Sequence, residues 1–132
     1  MQYVRKDNLN QVVRHCRATP FTPRRLALGW MPPHPTVYVR RRWYERIGGF
    51  DTSYRIAADY DFILRLFSQP GFKAVYVPEV LVKIRLGGAS NRSLANIMLK
   101  SQEDLRALRR SGVGAWGALA VKNLSKLPQF WA

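Results

Sequence analysis

The chain has 132 residues, with 22 Lys and Arg against 8 Asp and Glu for a net charge of +14. That length fits one domain able to bury a core, and a lone cysteine, Cys16, excludes an internal disulfide and fits a reducing compartment. No secretory leader is visible in the polar, charged stretch from Met1 to Arg17, and no apolar run reaches the about 20 residues that a membrane span needs.

Met1 to Arg5 and Gln11 to Arg17 read as two short extended segments joined by a turn at Asp7-Asn8. Thr19 to Pro23 is a loop. Pro23 suits the first turn of a short helix running from Arg24 to Trp30, where its missing N–H costs nothing. In Pro32-Pro33-His34-Pro35 the prolines bracket His34 and fix the backbone around it. A side chain presented so rigidly suits a phosphate, a sugar hydroxyl or a metal. Taken alone, it reads first as a loop histidine with only water for a partner. His15, in the second extended segment, reads as packed or solvent-facing.

Thr36-Val37-Tyr38-Val39 is β-branched and aromatic, which predicts a strand. Arg40 to Ile47 predicts a helix with Trp43, Tyr44 and Ile47 as its apolar stripe and Gly48-Gly49 as its stop. A second helix opens near Ala58-Asp59. Pro70-Gly71 is a turn, and strands are expected over Phe72 to Val77 and over Val80 to Leu86, where apolar residues alternate. The loop from Gly87 to Asn91 either cradles a phosphate or simply turns the chain; two adjacent glycines are a weak phosphate signal. It feeds a helix from Arg92 to Arg110 with Leu94, Ile97, Met98, Leu105 and Leu108 inward, capped by Ser90 or Asn91 and stopped by Gly112. The tail, Trp116 to Trp131, carries an apolar face opposite Lys122 and Lys126. It fits an interfacial membrane helix or a helix packed on the body or on a partner.

Three of the 8 acids fall together at Asp51, Asp59 and Asp61, and acids clustered in so basic a chain point to a site. Turn and helix capping explains Asp51 and Asp59 equally well. In a helix, Asp59 shares a face with Phe62, Ile63, Leu66 and Phe67, at the electropositive N-terminal edge of the buried stripe. Asp61 points away and can pair with Arg65. Asp59-Tyr60-Asp61 has the look of a D-x-D metal motif, but helical residues two apart diverge by roughly 200°, so no metal site is expected here. The charge as a whole suits nucleic acid, nucleotide diphosphates or acidic lipid, or a solvated surface.

Pro33-His34-Pro35-Thr36, Gly48-Gly49-Phe50-Asp51, Ala58-Asp59-Tyr60-Asp61 with Leu64-Arg65, Tyr76-Val77-Pro78, and Arg85 to Ser93 occur in an order that resembles the C-terminal half of family 2 glycosyltransferases. Bacterial polysaccharide and lipopolysaccharide transferases of the colanic-acid type are the nearest in look. The likeness runs from about Met1 to Gly112. It implies a partial GT-A fold of α/β or α+β class, a nucleotide-diphospho-sugar donor, a glycan or lipid-linked acceptor, and inversion at the anomeric carbon. Asp59 takes the place of the family's catalytic base, with Ala58 where a Glu often stands. His34, Asp51, Asp61, Arg65, Gly87, Gly88, Ser90 and Arg92 are the implied substrate-binding neighbours.

The family's nucleotide-binding half, with the acidic D-x-D that holds Mg or Mn, has no counterpart here. The expectation is therefore an acceptor-side half-domain (1–112) with an amphipathic tail (113–132), unable to transfer sugar unaided and completed by a separate N-terminal half. Its expected place is the cytoplasm, in peripheral contact with the inner face of the plasma membrane. The alternatives are a basic, non-catalytic module that binds an anionic membrane surface or nucleic acid, or a remnant without function. Nucleic acid is the poorer partner, because no helix-turn-helix, zinc-finger or RRM pattern is present. A small mixed sheet is expected from the segments at Met1, Gln11, Thr36 and Phe72 to Leu86.

Overall fold

The computed structural model describes the backbone of residues 1–86 and 94–113 and the side chains of 1–86 and 96–113. Gly87, Gly88, Ser90, Arg92 and the tail from residue 114 lie outside the described residues. The architecture is mixed α/β. β1 (Gln2–Val4) and β2 (Val12–His15), the two extended segments read from the sequence, form an antiparallel hairpin with a register shift between Tyr3 and Val4. β3 (Lys83–Arg85) adds to the other side of β1 in parallel, giving the order β2-β1-β3. The hairpin is extended by Cys16 N–H donating to Met1 O at 2.9 Å and Arg5 N–H to Gln11 O at 3.1 Å.

The sheet is smaller than the sequence predicts. Phe72 to Val77 forms no ladder, and of Val80 to Leu86 only β3 is a strand, with Val82 O and Leu86 N–H adding one backbone bond each to Gln2 and Val4 at its ends. Thr36 to Val39 is not a strand either. Its first residue closes a 3₁₀ turn, His34–Thr36, in which the Thr36 hydroxyl donates to Pro33 O at 2.7 Å. The β propensity of these segments is real, but a strand needs a ladder of backbone partners, and here the links are single: Gln2 N–H donates to Val82 O at 3.0 Å and the Tyr76 hydroxyl to Ala18 O at 3.1 Å.

The helices hold the core. α1 (Pro23–Ala27) opens with Thr22 capping Arg25 N–H and stops at Leu28, short of the predicted Trp30. α2 (Arg41–Ile47) packs Trp43, Tyr44 and Ile47 on the core and ends at Gly48, whose φ of 80° few side chains tolerate. α3 (Ala58–Phe67) is the central element. Tyr60 through Leu64, Leu66 and Phe67 are all buried, so it is enclosed on nearly every side rather than along one stripe. Asp61 is accordingly inside, at 1% exposure, and not on an outward face as helical spacing suggests.

α4 (Leu94–Ser111) lies against α3, and Gly112, at φ 66°, follows it. Its inward register is Glu103, Asp104, Ala107 and Leu108. Ile97 and Met98, expected inward, are 55% and 66% exposed. The reason is length: α3 spans about 15 Å and α4 about 27 Å, so the first turns of α4 overhang the core. Phe21, Trp30, Phe67 and Phe72 close the far side as a cluster of tilted and edge-on rings, with Phe67 to Phe72 centroids 4.7 Å apart. Among the described residues no helix is long and apolar enough to cross a membrane.

Candidate functional site

The N-terminal end of α3 organises the polar groups of the molecule. A helix start leaves backbone N–H groups without intrahelical partners. Here Glu103 of α4 reaches across and accepts from Arg55, Ile56 and Ala57 N–H, each at 2.8 Å. Burial pushes the Glu103 carboxyl up. The three backbone donors and the Arg106 charge outweigh that and hold it below its ordinary value. The cap comes from about 46 residues away in sequence, so local reading misses it. One signal was legible: Glu103 and Asp104 occupy the same inward register as Ala107 and Leu108.

With its start capped from α4, the first turn of α3 presents Asp59 at the surface. Asp59 Oδ1 accepts from Tyr60 N–H at 2.8 Å, and Asp59 Oδ2 lies 3.0 Å from His34 Nδ1. His34 is 58% exposed and Asp59 30%, so the pair opens to solvent at its histidine side. Pro33 and Pro35 and the 3₁₀ turn hold the imidazole in place. Two residues singled out in the sequence, 25 apart in number, thus meet as one carboxylate–imidazole pair.

The other acidic residues are placed differently. Asp61 accepts from Arg65 Nε at 2.8 Å, the i, i+4 pairing that spacing predicts. The rest of the Arg65 fork donates to Ile47 O and Gly49 O, both at 2.7 Å, and ties the end of α2 to α3. Asp51 closes an Asx turn by accepting from Ser53 N–H at 2.9 Å and pairs with Arg110. Hydrogen bonds from the Ser53 side chain and backbone, then Arg110, hold the Asp51 carboxyl well below the usual carboxylate range. Asp51 and Arg65 therefore spend their polar atoms on joining elements, while Asp59 and His34 face water.

Asp59 and Asp61, candidates for an acidic metal motif, take separate partners, His34 and Arg65. Among the described residues no group of three His, Cys, Asp or Glu side chains could hold a metal ion. The residues present do not fit the divalent ion that the family resemblance implies.

A groove of about 820 Å³ runs beside the pair rather than over it. Trp30, Thr36, Val39, Trp43, Phe72 and Tyr76 form its walls, and Arg17, Arg40, Arg42 and Lys73 add positive charge. Asp59 and His34 do not line it, but Thr36, from the same 3₁₀ turn as His34, does.

Over 68 residues the chain is 34% identical to proteins named "PGL/p-HBAD biosynthesis glycosyltransferase" from Mycobacterium bovis and Mycobacterium tuberculosis. The match covers 51% of this chain and 27% of each relative, so the chain aligns with about a quarter of their length. This supports a general relationship to glycosyltransferases. No family model matches the chain, and no solved structure matches it.

Proposed function

We propose that this chain is the acceptor-side part of an inverting family 2 glycosyltransferase of GT-A type, acting on a nucleotide-diphospho-sugar and a glycan or lipid-linked acceptor. The observation that carries the reading is Asp59. It is a carboxylate seated on the most enclosed helix of the fold, yet open to solvent and aligned by His34. The resemblance over Gly48 to Arg65 and the glycosyltransferase relatives support it.

The chemistry follows from the substrates. An acceptor hydroxyl is a weak nucleophile, and attack at the anomeric carbon requires its proton to leave as the new C–O bond forms. The Asp59 site supplies that basicity. The bond from the anomeric carbon to the diphosphate breaks on the opposite face, which inverts the centre. Arg17, Arg40 and Arg42, along the adjacent groove, are placed to meet the negative charge of the departing diphosphate. The nucleotide-binding half that the family resemblance implies completes the enzyme, in the cytoplasm at the inner face of the plasma membrane, with the 113–132 tail as the membrane contact.

The test is to sequence the DNA upstream of the Met1 codon and to co-express this chain with the nucleotide-binding polypeptide that the reading expects to be encoded there. Transfer of radiolabel from a panel of UDP-, GDP- and dTDP-sugars into membrane lipid is then measured. Transfer is expected from the two together, none from this chain alone, and none from Asp59→Asn. Absence of transfer from the combination overturns the reading, as does tight UDP binding by this chain by itself. Steeply salt-dependent binding to phospholipid vesicles or nucleic acid with no transfer would favour the basic-module alternative.

A further inference from the structure

We infer that Glu103 is a positioning residue for Asp59: the α4 carboxylate fixes the backbone from which α3 starts, and thereby where the Asp59 carboxylate stands. The inference rests on the glycosyl-transfer reading above, with Asp59 as its base, and adds a residue to that same site.

The start of α3 does not fix itself. Its N-cap is Ala57, whose side chain makes no capping bond. Asp59 has its oxygens elsewhere, Oδ1 accepting from Tyr60 N–H at 2.8 Å and Oδ2 lying 3.0 Å from His34 Nδ1. The turn before the helix is held from α4 instead. Glu103 Oε1 accepts from Arg55 N–H, and Glu103 Oε2 from Ile56 and Ala57 N–H, each at 2.8 Å. Successive backbone donors converging on one anion leave that stretch of chain little freedom. Asp59 follows Ala57 by two residues, about 3 Å of helix rise, so a shift of the turn is carried to it.

The same face of α4 holds the rest of the loop, since Glu103, Arg106 and Arg110 follow i, i+3, i+7 spacing. Arg106 donates to Ser53 Oγ at 3.1 Å, and its guanidinium lies 4.6 Å from the centre of the Tyr54 ring. Arg110 pairs with Asp51. Those contacts are to side chains, whereas Glu103 grips the backbone itself. Displacing a reacting group by about 1 Å can cost about 10²-fold in rate, so a buried residue that never meets substrate can still set the rate.

Two measurements decide the matter. The first uses the 132-residue chain alone and needs no turnover. Amide and histidine-ring ¹H–¹⁵N spectra at neutral pH are compared for wild type, Glu103→Gln and Leu108→Ala. Glu103→Gln keeps the size of the side chain but puts an NH₂ where an accepting oxygen stood. Leu108→Ala weakens the same helix at a position with 0% exposure and an apolar side chain. The Tyr60 amide and His34 ring signals sit against the two Asp59 oxygens. They are expected to move in Glu103→Gln together with the amides of Arg55, Ile56 and Ala57, and much less in Leu108→Ala. Unmoved Tyr60 and His34 signals in Glu103→Gln, or equal movement in Leu108→Ala, overturn the inference. If Glu103→Gln does not fold, Glu103→Asp, which keeps the charge but shortens the reach, takes its place with the same expectation.

The second measurement is the complemented transfer assay. Glu103→Gln is expected to lower kcat by about 10- to 10²-fold with KM little changed. Leu108→Ala, at a temperature where both variants stay folded, is expected to keep the wild-type kcat. A wild-type kcat in Glu103→Gln, or equal losses in the two variants, overturns the role of Glu103 while leaving the glycosyltransferase reading intact. No transfer by the wild-type combination removes that reading and the catalytic meaning of the inference with it.

Discussion

Helix α3 and the two segments 37–40 and 72–82 all carry apolar and aromatic residues but end in different states. In the helical half nearly every side chain of α3 is enclosed, and its buried acids have named partners: Arg65 for Asp61, and three backbone N–H groups for Glu103. In the extended half Tyr38 is 78% and Val75 89% exposed, and residues 72–82 form no ladder. The difference follows from where hydrogen bonds come from. A helix satisfies its backbone within itself and asks the rest of the chain only for a face to pack on. A strand borrows every ladder bond from another segment. Strand-forming sequence without a ladder stays outside the sheet, and residues of both segments line the groove.

That contrast can be broken by substitutions ranked by how much of the closed half they undo. Leu64→Ala, at a position with 0% exposure, should lose about 4 kcal/mol through the cavity it leaves, read as a fall in the urea midpoint with unchanged slope. A loss under about 1 kcal/mol would mean that the centre of α3 relaxes freely.

Glu103→Ala strands three backbone donors and should cost about 3 kcal/mol in the same measurement. Its acid response has a definite sign. Folding lowers the Glu103 pKa, so the stability it adds is complete above the ordinary value of 4.5 and is lost as the pH falls below that. The stability gap between wild type and Glu103→Gln should therefore be larger at about pH 7 than at about pH 3. Equal gaps would show that the carboxylate is not favoured by folding.

Arg65→Ala removes the partner of Asp61 and the ties to Ile47 and Gly49, and should cost about 2 to 3 kcal/mol. Faster amide exchange at the end of α2 should accompany it. Val75→Glu sharpens the comparison from the other side. At 89% exposure it should change stability by no more than about 0.5 kcal/mol. A large loss there would show that the extended wall is packed in solution.

Much of the fold and half of the site were legible in the sequence, for local reasons. The hairpin showed as two extended segments joined by a turn at Asp7-Asn8, α2 by its apolar stripe and glycine stop, α3 by periodicity, and the Asp61–Arg65 pair by i, i+4 spacing. Asp59 and His34 were each suspect, one as an acid in a basic chain and the other as a histidine among prolines. Nothing local joined them, because the 3.0 Å contact closes over a loop, a helix and a turn. Glu103 was hidden for the same reason: its role depends on which residues lie opposite it.

By itself, the sequence determined what depends on residues a few positions apart: the helices, the hairpin turn and the glycine stops. Only the tertiary structure decided what depends on distant segments meeting. It placed Asp61 inside, left Ile97 and Met98 outside, kept 72–81 out of the sheet, and set His34 against Asp59. Burial and pairing are properties of two surfaces in contact, and a linear pattern carries only one of them.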